Sequence, residues 1–199
     1  MEEDNQNIFE DDLEFESKYK KTLMQLYKRY LESQFIEIIE ITKEKYPNRS
    51  KYIDAEFFYT FIDNIVDFKV RRKEKNRYYD IDMLIETESI KINGEKIIGW
   101  FDKLKHVHNK NPNHITSICY SWEDKNGTGL EPHIYVLPFT DIFIQWFEAN
   151  KENFKTVPSP NHNKLTHEKL YTTYCKAVPI SELKKQGFII DIGGGNNDL

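Results

Sequence analysis

The segment YDIDMLIETESIK, Tyr79 to Lys91, decides the predicted fold of this chain. Its residues alternate between an apolar face and an acidic face, which is the two-residue period of a β-strand. The turn dipeptide Asn93-Gly94 follows almost at once and is a strong signal for a two-residue hairpin loop. The pattern therefore predicts an antiparallel hairpin whose second strand covers residues 96–107.

The acidic face of this strand raises the question of whether its four carboxylates form a metal or catalytic site. A turn at Asn93-Gly94 would place Lys105 opposite Asp82, and an earlier strand over 66–72 would present basic side chains from the other side. Opposite charges on neighbouring strands stabilise an exposed sheet face. We therefore interpret the face as a charge ladder that serves as a binding surface, formed by Lys69, Arg71, Asp82, Glu86, Lys103 and Lys105.

The remaining segments predict helices packed around this sheet. Apolar residues at three- and four-residue steps predict a long helix over about 13–46, and a second helix is expected through 57–65. Further strands are predicted at 115–122, 133–139 and 170–178, with a loop at 157–163. The predicted fold class is α+β: an antiparallel β-meander of four to five strands with a long N-terminal helix and further helices packed on one face.

The domain organisation follows from composition along the chain. Residues 1–12 are strongly acidic and predict a flexible arm, 13–192 a single α+β domain, and the glycine-rich 193–199 a flexible tail. Only Cys119 and Cys175 are present, each in an apolar run, which favours reduced core thiols over a disulfide framework.

Charge and hydropathy exclude some functions and predict a location. A net charge of -5 argues against a protein that mainly coats nucleic acid. No segment approaches the roughly 18 to 20 consecutive apolar residues of a membrane span, and the N-terminus is acidic where a signal peptide is basic. We therefore expect an intracellular protein, cytoplasmic or nuclear, with no membrane partner.

One constellation is compatible with a restriction-type nuclease. Such an active site needs a carboxylate at one strand end, then a second carboxylate followed two residues later by lysine, to hold Mg²⁺ and activate water. Asp102, Glu123 and Lys125 have this order. On the predicted second hairpin strand, Asp102 would also point to the buried side, which would raise its pKa.

Histidines offer a weaker metal site. His106, His108 and His114 lie close in sequence, and residues two apart on a strand share a face, so the three could ligate Zn²⁺. Loop and strand-end positions explain them equally well, and no cysteine or carboxylate is in register with them.

A basic segment at 69–77 is a candidate nucleic-acid contact. A basic hairpin tip with neighbouring aromatic residues can grip a phosphate backbone and stack on bases. The same charges would also discourage edge-to-edge pairing of strands. The basic residues are Lys69, Arg71, Arg72, Lys73, Lys75 and Arg77.

These patterns favour an intracellular non-enzymatic binding or accessory protein that acts through a charged sheet face on a protein or nucleoprotein partner, with no cofactor. The alternative is a Mg²⁺-dependent restriction-type nuclease that acts on nucleic acid through Asp102, Glu123 and Lys125. The two differ in one geometric requirement, because a nuclease must bring those three side chains together around one ion.

Overall fold

The computed structural model describes residues 3–34, 39–42, 55–59, 62–72, 82–110, 114–124, 126–162, 166 and 168–193. Its helices are α1 (Glu3–Gln34), α2 (Trp100–Lys110), α3 (Asp141–Asn150) and α4 (Ile180–Lys185). Its strands are β1 (Ile39–Thr42), β2 (Ala55–Tyr59), β3 (Ile62–Arg71), β4 (Asp82–Lys91), β5 (Lys96–Ile98), β6 (Ile115–Trp122), β7 (Tyr135–Pro138), β8 (Lys155–His162), β9 (Lys169–Pro179) and β10 (Ile190–Asp191).

The strands of these ranges form two sheets. Sheet A has the order β1-β2-β3-β6-β7-β10, and sheet B has the order β5-β4-β9-β8. All neighbouring strands are antiparallel except β3 and β6, which run parallel. The fold is therefore α+β with mostly antiparallel sheets, as predicted, but its ten described strands lie in two sheets rather than in one meander.

Helix α1 covers one face of sheet A. Buried residues recur on it every four positions, which places them on one side of the helix, and they pack on β3 and β6 through residues such as Phe68 and Cys119. The buried positions are Tyr19, Leu23, Tyr27 and Leu31. The described helix begins at Glu3, within the segment that the composition predicts as an arm.

The main core lies on the opposite face of sheet A. There Tyr120 and Trp122 of β6 meet Met83 and Ile85 of β4, together with the apolar faces of α2, α3 and α4. Aromatic rings dominate this core, with Phe101 and Phe147 only 4.5 Å apart between ring centres. The layers are thus α1, sheet A, and a third layer in which sheet B and the other three helices lie together.

The predicted hairpin is partly wrong. A turn does form at Asn93-Gly94, but Ile90 pairs with Lys96 and Glu88 with Ile98, one residue away from the predicted register. Strand β5 ends at Ile98 and α2 starts at Trp100. The apolar residues after Gly99 repeat at three- and four-residue intervals, and this helical stripe packs on β4 and β6. They are Trp100, Phe101, Leu104 and Val107.

Two further predictions are wrong. Strand β3 lies beside β6 and not beside β4, so the predicted basic, acidic and basic ladder does not exist. The segment predicted as a second helix forms β2 and the start of β3, because its aromatic and β-branched residues pair in sheet A. Residues 157–163, predicted as a loop, belong mostly to edge strand β8, where Pro158 and Pro160 are tolerated.

Other elements confirm their predictions. Strands β6 and β9 lie where their apolar runs predicted them. Thr140 caps α3, its hydroxyl accepting a hydrogen bond from the Phe143 backbone N–H at 3.2 Å. Both cysteines are buried and free. The domain boundaries remain predictions.

Candidate functional site: a cleft between the two sheets

A cleft of about 220 Å³ lies between the end of β3 and sheet B. One wall is basic and comes from β3, and the floor is polar and comes from β8 and β9. Because cross-strand neighbours point to the same side of a sheet, the register pairs Ser159 with Thr173 and Asn161 with Tyr171 on one face. The lining residues used below are Lys69, Arg71, Arg72, Glu86, Trp100, Ser159, Asn161, Tyr171 and Thr173.

Arg71 joins the two sheets at the open edge of β4. Strand β5 pairs only with residues 88–90 of β4, so β5 does not cover the β4 backbone at Leu84. There the Tyr120 hydroxyl accepts a hydrogen bond from Leu84 N at 3.2 Å, and Arg71 Nη2 donates to Leu84 O at 3.0 Å. Arg71 Nε donates to the same Tyr120 hydroxyl at 3.0 Å. Burial raises the pKa of Tyr120, so the hydroxyl is neutral at pH 7.

The guanidinium of Arg71 is fixed but not fully used. Nη2 also lies 3.9 Å from Cys175 Sγ, so Nε and Nη2 are both engaged with sheet B or Tyr120. Nη1 makes no hydrogen bond to the described residues, and Arg71 lines the cleft. An arginine remains protonated at any physiological pH. The cleft therefore contains an oriented cation with a donor to spare.

Trp100 supplies a second donor. It is 3% exposed, and its Nε1 has no hydrogen-bond partner in the described part of the chain. An indole N–H can only donate. The position of Trp100 depends on Gly99, which crosses β4 at a bulge between Glu86 and Glu88 and whose N–H donates to Thr87 O at 3.0 Å.

The other cations of the basic wall have local contacts. Lys69 Nζ lies 3.1 Å from the Asp67 carboxylate, and the Arg72 guanidinium lies 4.4 Å above the centre of the Phe15 ring. Glu86 is the carboxylate of the cleft. It accepts a hydrogen bond from Ser89 at 3.4 Å, a long distance for such a bond.

The floor is ordered by its own hydrogen bonds. Asn161 Nδ2 donates to Ser159 O at 3.1 Å and to Thr173 Oγ1 at 3.4 Å, and the Thr173 hydroxyl lies 2.8 Å from that of Ser89. These bonds leave Asn161 Oδ1 and the Ser159 hydroxyl with no partner in the described ranges. The floor thus adds one acceptor and one hydroxyl to the donors above it.

The predicted binding surface is only partly brought together. Lys69, Arg71, Arg72 and Glu86 line the cleft. Lys103 and Lys105 lie on α2, where Lys105 pairs with Glu148 of α3 instead of Asp82. Lys73, Lys75 and Arg77 fall outside the described residues, so the basic hairpin tip stays a prediction.

The predicted nuclease residues lie apart. Asp102 is exposed in the first turn of α2, so its predicted burial is wrong, since it sits on a helix and not on a strand. Glu123 lies on the opposite face of sheet A, where the Tyr19 hydroxyl of α1 donates to it at 2.7 Å. Lys125 falls outside the described residues. This arrangement gives no support to a magnesium site.

Glu123 and Asp124 have structural contacts that the sequence did not reveal. Lys18 Nζ lies 3.8 Å from Glu123 and donates to Gly127 O at 2.9 Å, which ties α1 to the loop after β6. Asp124 accepts hydrogen bonds from the backbone and hydroxyl of Thr128, which lower the pKa of its carboxyl.

The histidines do not form a zinc site. His106 and His108 lie on α2, where residues two apart point in different directions, and His108 Nε2 is 3.1 Å from Asp141. His114 precedes β6. Among the described residues, no group of three histidine, cysteine, aspartate or glutamate side chains could hold a metal.

The sequence missed Trp100 and the polar floor. Trp100 was assigned to a strand, and residues 159–161 to a loop. A signal was present in the alternation of small polar residues over 159–161 and 171–173. It was not decisive because only the pairing of β8 with β9 shows that these residues share a face.

A change at Asp82 should reveal burial rather than binding. Burial raises the pKa of Asp82, opposed by the charge of Lys155. A raised folded-state pKa means that stability falls as the pH rises through the unfolded and then the folded pKa of this carboxyl. Asp82→Asn should therefore be slightly more stable than the wild type at pH 7 and equal to it at pH 3. Urea unfolding at both pH values measures this, and a less stable variant at pH 7 would contradict it.

Comparison with protein-family models finds no family that matches this chain, and a search of curated proteins finds no relative. None of the helices in the described ranges combines the length and apolar character required to cross a membrane. The chemistry of the cleft is therefore the basis for a functional proposal.

Proposed function

We propose that this protein is a non-enzymatic binding protein that takes an acidic side chain of a partner protein into the cleft between its sheets. The observation that supports this is Arg71. Its guanidinium is held by Tyr120 and Leu84 while Nη1 has no acceptor among the described residues. Fixing a cation before the ligand arrives reduces the entropy lost on binding.

The size of the cleft favours one inserted side chain. Its volume of about 220 Å³ is below the roughly 300–1,000 Å³ typical of small-molecule sites. Prolines at 158 and 160 line the edge beside it on β8, which discourages a partner from adding a strand there. Recognition through a side chain therefore fits this site better than strand addition.

A protein partner fits the charge better than nucleic acid. The chain has a net charge of -5, and Glu86 stands in the cleft beside Arg71. Nucleic-acid binding requires several cations that together neutralise phosphates. Here one of the three basic residues, Lys69, is paired with Asp67. A single acidic side chain requires only one available cation.

The test compares partner capture by three proteins. Wild-type protein, Arg71→Gln and Lys103→Gln are immobilised and exposed to extract from the native source, and the affinity of any captured protein is then measured after purification. Both variants lose one positive charge, but Lys103 lies on α2 away from the cleft lining. We expect Arg71→Gln to bind at least about tenfold more weakly and Lys103→Gln to bind as wild type.

Two results would contradict the proposal. Equal weakening by both substitutions would show that only net charge matters. Capture of nucleic acid that Arg71→Gln abolishes, with no protein retained, would assign the cleft to a different class of partner. Each variant must unfold cooperatively in urea before its binding is compared.

A further inference from the structure

We infer that the group held in the cleft is a carboxylate of a peptide segment, bound by Arg71 Nη1 and the Trp100 indole N–H, and that Glu86 disfavours a phosphate. This inference rests on the proposed function and specifies its ligand. It makes an aspartate or glutamate side chain the ligand and assigns Glu86 to selectivity.

The first step is the presence of two unused donors. Trp100 is almost completely buried and its Nε1–H has no partner in the described ranges. A buried donor without an acceptor costs roughly 1–3 kcal/mol. Arg71 Nη1 is a second such donor on the same cleft. A ligand with two acceptor oxygens, such as a carboxylate, can satisfy both.

The second step concerns charge. Glu86 lines the cleft with Arg71, and its attraction stabilises the charge of that guanidinium. The two charges together offer almost no net charge to a ligand. Near pH 7 a phosphate monoester carries close to two negative charges, whereas a carboxylate carries one. The repulsion from Glu86 is therefore larger for the phosphate.

The third step is the acceptors on the floor. Asn161 Oδ1 has no donor among the described residues, because Nδ2 makes both of the hydrogen bonds of that side chain. Glu86 has only the long hydrogen bond from Ser89. Acceptors of this kind suit the N–H groups of a peptide backbone next to an inserted side chain. They have no donor to meet on a phosphate dianion.

The test uses the Trp100 indole N–H as its probe in a ¹⁵N-labelled protein. The chain has three tryptophans, and Trp100→Phe identifies the signal by removing it while keeping an aromatic ring. The protein is titrated at constant ionic strength and pH 7.5 with N-acetyl-glutamate amide and with inorganic phosphate. We expect a saturable shift of the Trp100 signal with the carboxylate and at least about fivefold weaker binding of phosphate.

Matched variants isolate the role of Glu86. Glu86→Gln keeps the side-chain shape and removes the charge, so phosphate affinity should increase about tenfold while carboxylate affinity changes less. Glu88→Gln is the control, because Glu88 is two residues away on β4, pairs with Lys96 at 3.0 Å and is outside the cleft lining. Glu88→Gln should leave both affinities unchanged.

The possible failures are distinct from those of the proposed function. Tighter binding of phosphate than of the carboxylate in wild-type protein would overturn the inference, and so would a Trp100 signal that neither probe moves. Partner capture that still depends on Arg71 would leave the proposed function intact in both cases. Capture that does not depend on Arg71 would reject the proposed function whatever the indole signal shows.

Discussion

Arg71→Ala is expected to lower the free energy of unfolding by about 2–3 kcal/mol. The substitution removes the donors to Leu84 O and to the Tyr120 hydroxyl, both at 3.0 Å. Leu84 O then stands on a strand edge that β5 does not cover, so a backbone acceptor loses its partner between two sheets. Urea unfolding followed by fluorescence measures the change.

Two related variants test the reason for this loss. Arg71→Lys keeps the charge but not the planar fork, so it should recover only part of the stability. Tyr120→Phe removes only the hydroxyl and should cost about 1 kcal/mol. Because Arg71 and Tyr120 share hydrogen bonds, the double variant should lose less than the sum of the single changes. A loss below about 0.5 kcal/mol in Arg71→Ala would show that the arginine does not hold the sheets together.

Gly99→Ala is expected to cost about 2–3 kcal/mol and to displace Trp100. A Cβ on Gly99 would collide with the backbone of Glu86 and Thr87, including Glu86 O. These atoms belong to a strand and cannot rotate away as a flexible side chain would. For a chain of this length, about 2–3 kcal/mol corresponds to a fall in melting temperature of about 4–12 °C.

The control for Gly99→Ala is another glycine of the same hairpin. Gly94 has a positive φ of 83° and open space around its Cα, so Gly94→Asn should be tolerated, since asparagine accepts this conformation. Calorimetry measures both variants, and the Trp100 indole N–H signal reports any movement of the ring. A Gly99→Ala protein with unchanged stability and signal would show that the crossing can relax without cost.

Local features of the sequence predicted several elements correctly because the causes are local. Thr140 caps α3 through its own hydroxyl, and the apolar run before Trp122 forms β6. The Asn93-Gly94 turn also forms, since glycine adopts its positive φ without help from other segments. The α+β class followed from such signals.

Segments with two possible periods were decided by packing. The residues after Gly99 fit a strand by alternation and a helix by their spacing, and only contact with β4 and β6 selects the helix. Residues 57–65 were predicted as helical and became strands through pairing within sheet A. The error at 100–107 then placed Asp102 in the core instead of on an exposed helix face.

The sequence by itself determined that Lys69, Arg71 and Arg72 form a basic strand end and that Glu86 belongs to an acidic strand. Only the tertiary structure placed Arg71 against Leu84 and Tyr120 and brought Trp100 and Asn161 to the same cleft. The physical reason is that alternation gives the side of a strand on which a residue lies but not the strand beside it. Neighbouring strands are chosen by burial and pairing over long separations, and here those contacts placed β3 next to β6 and made the cleft.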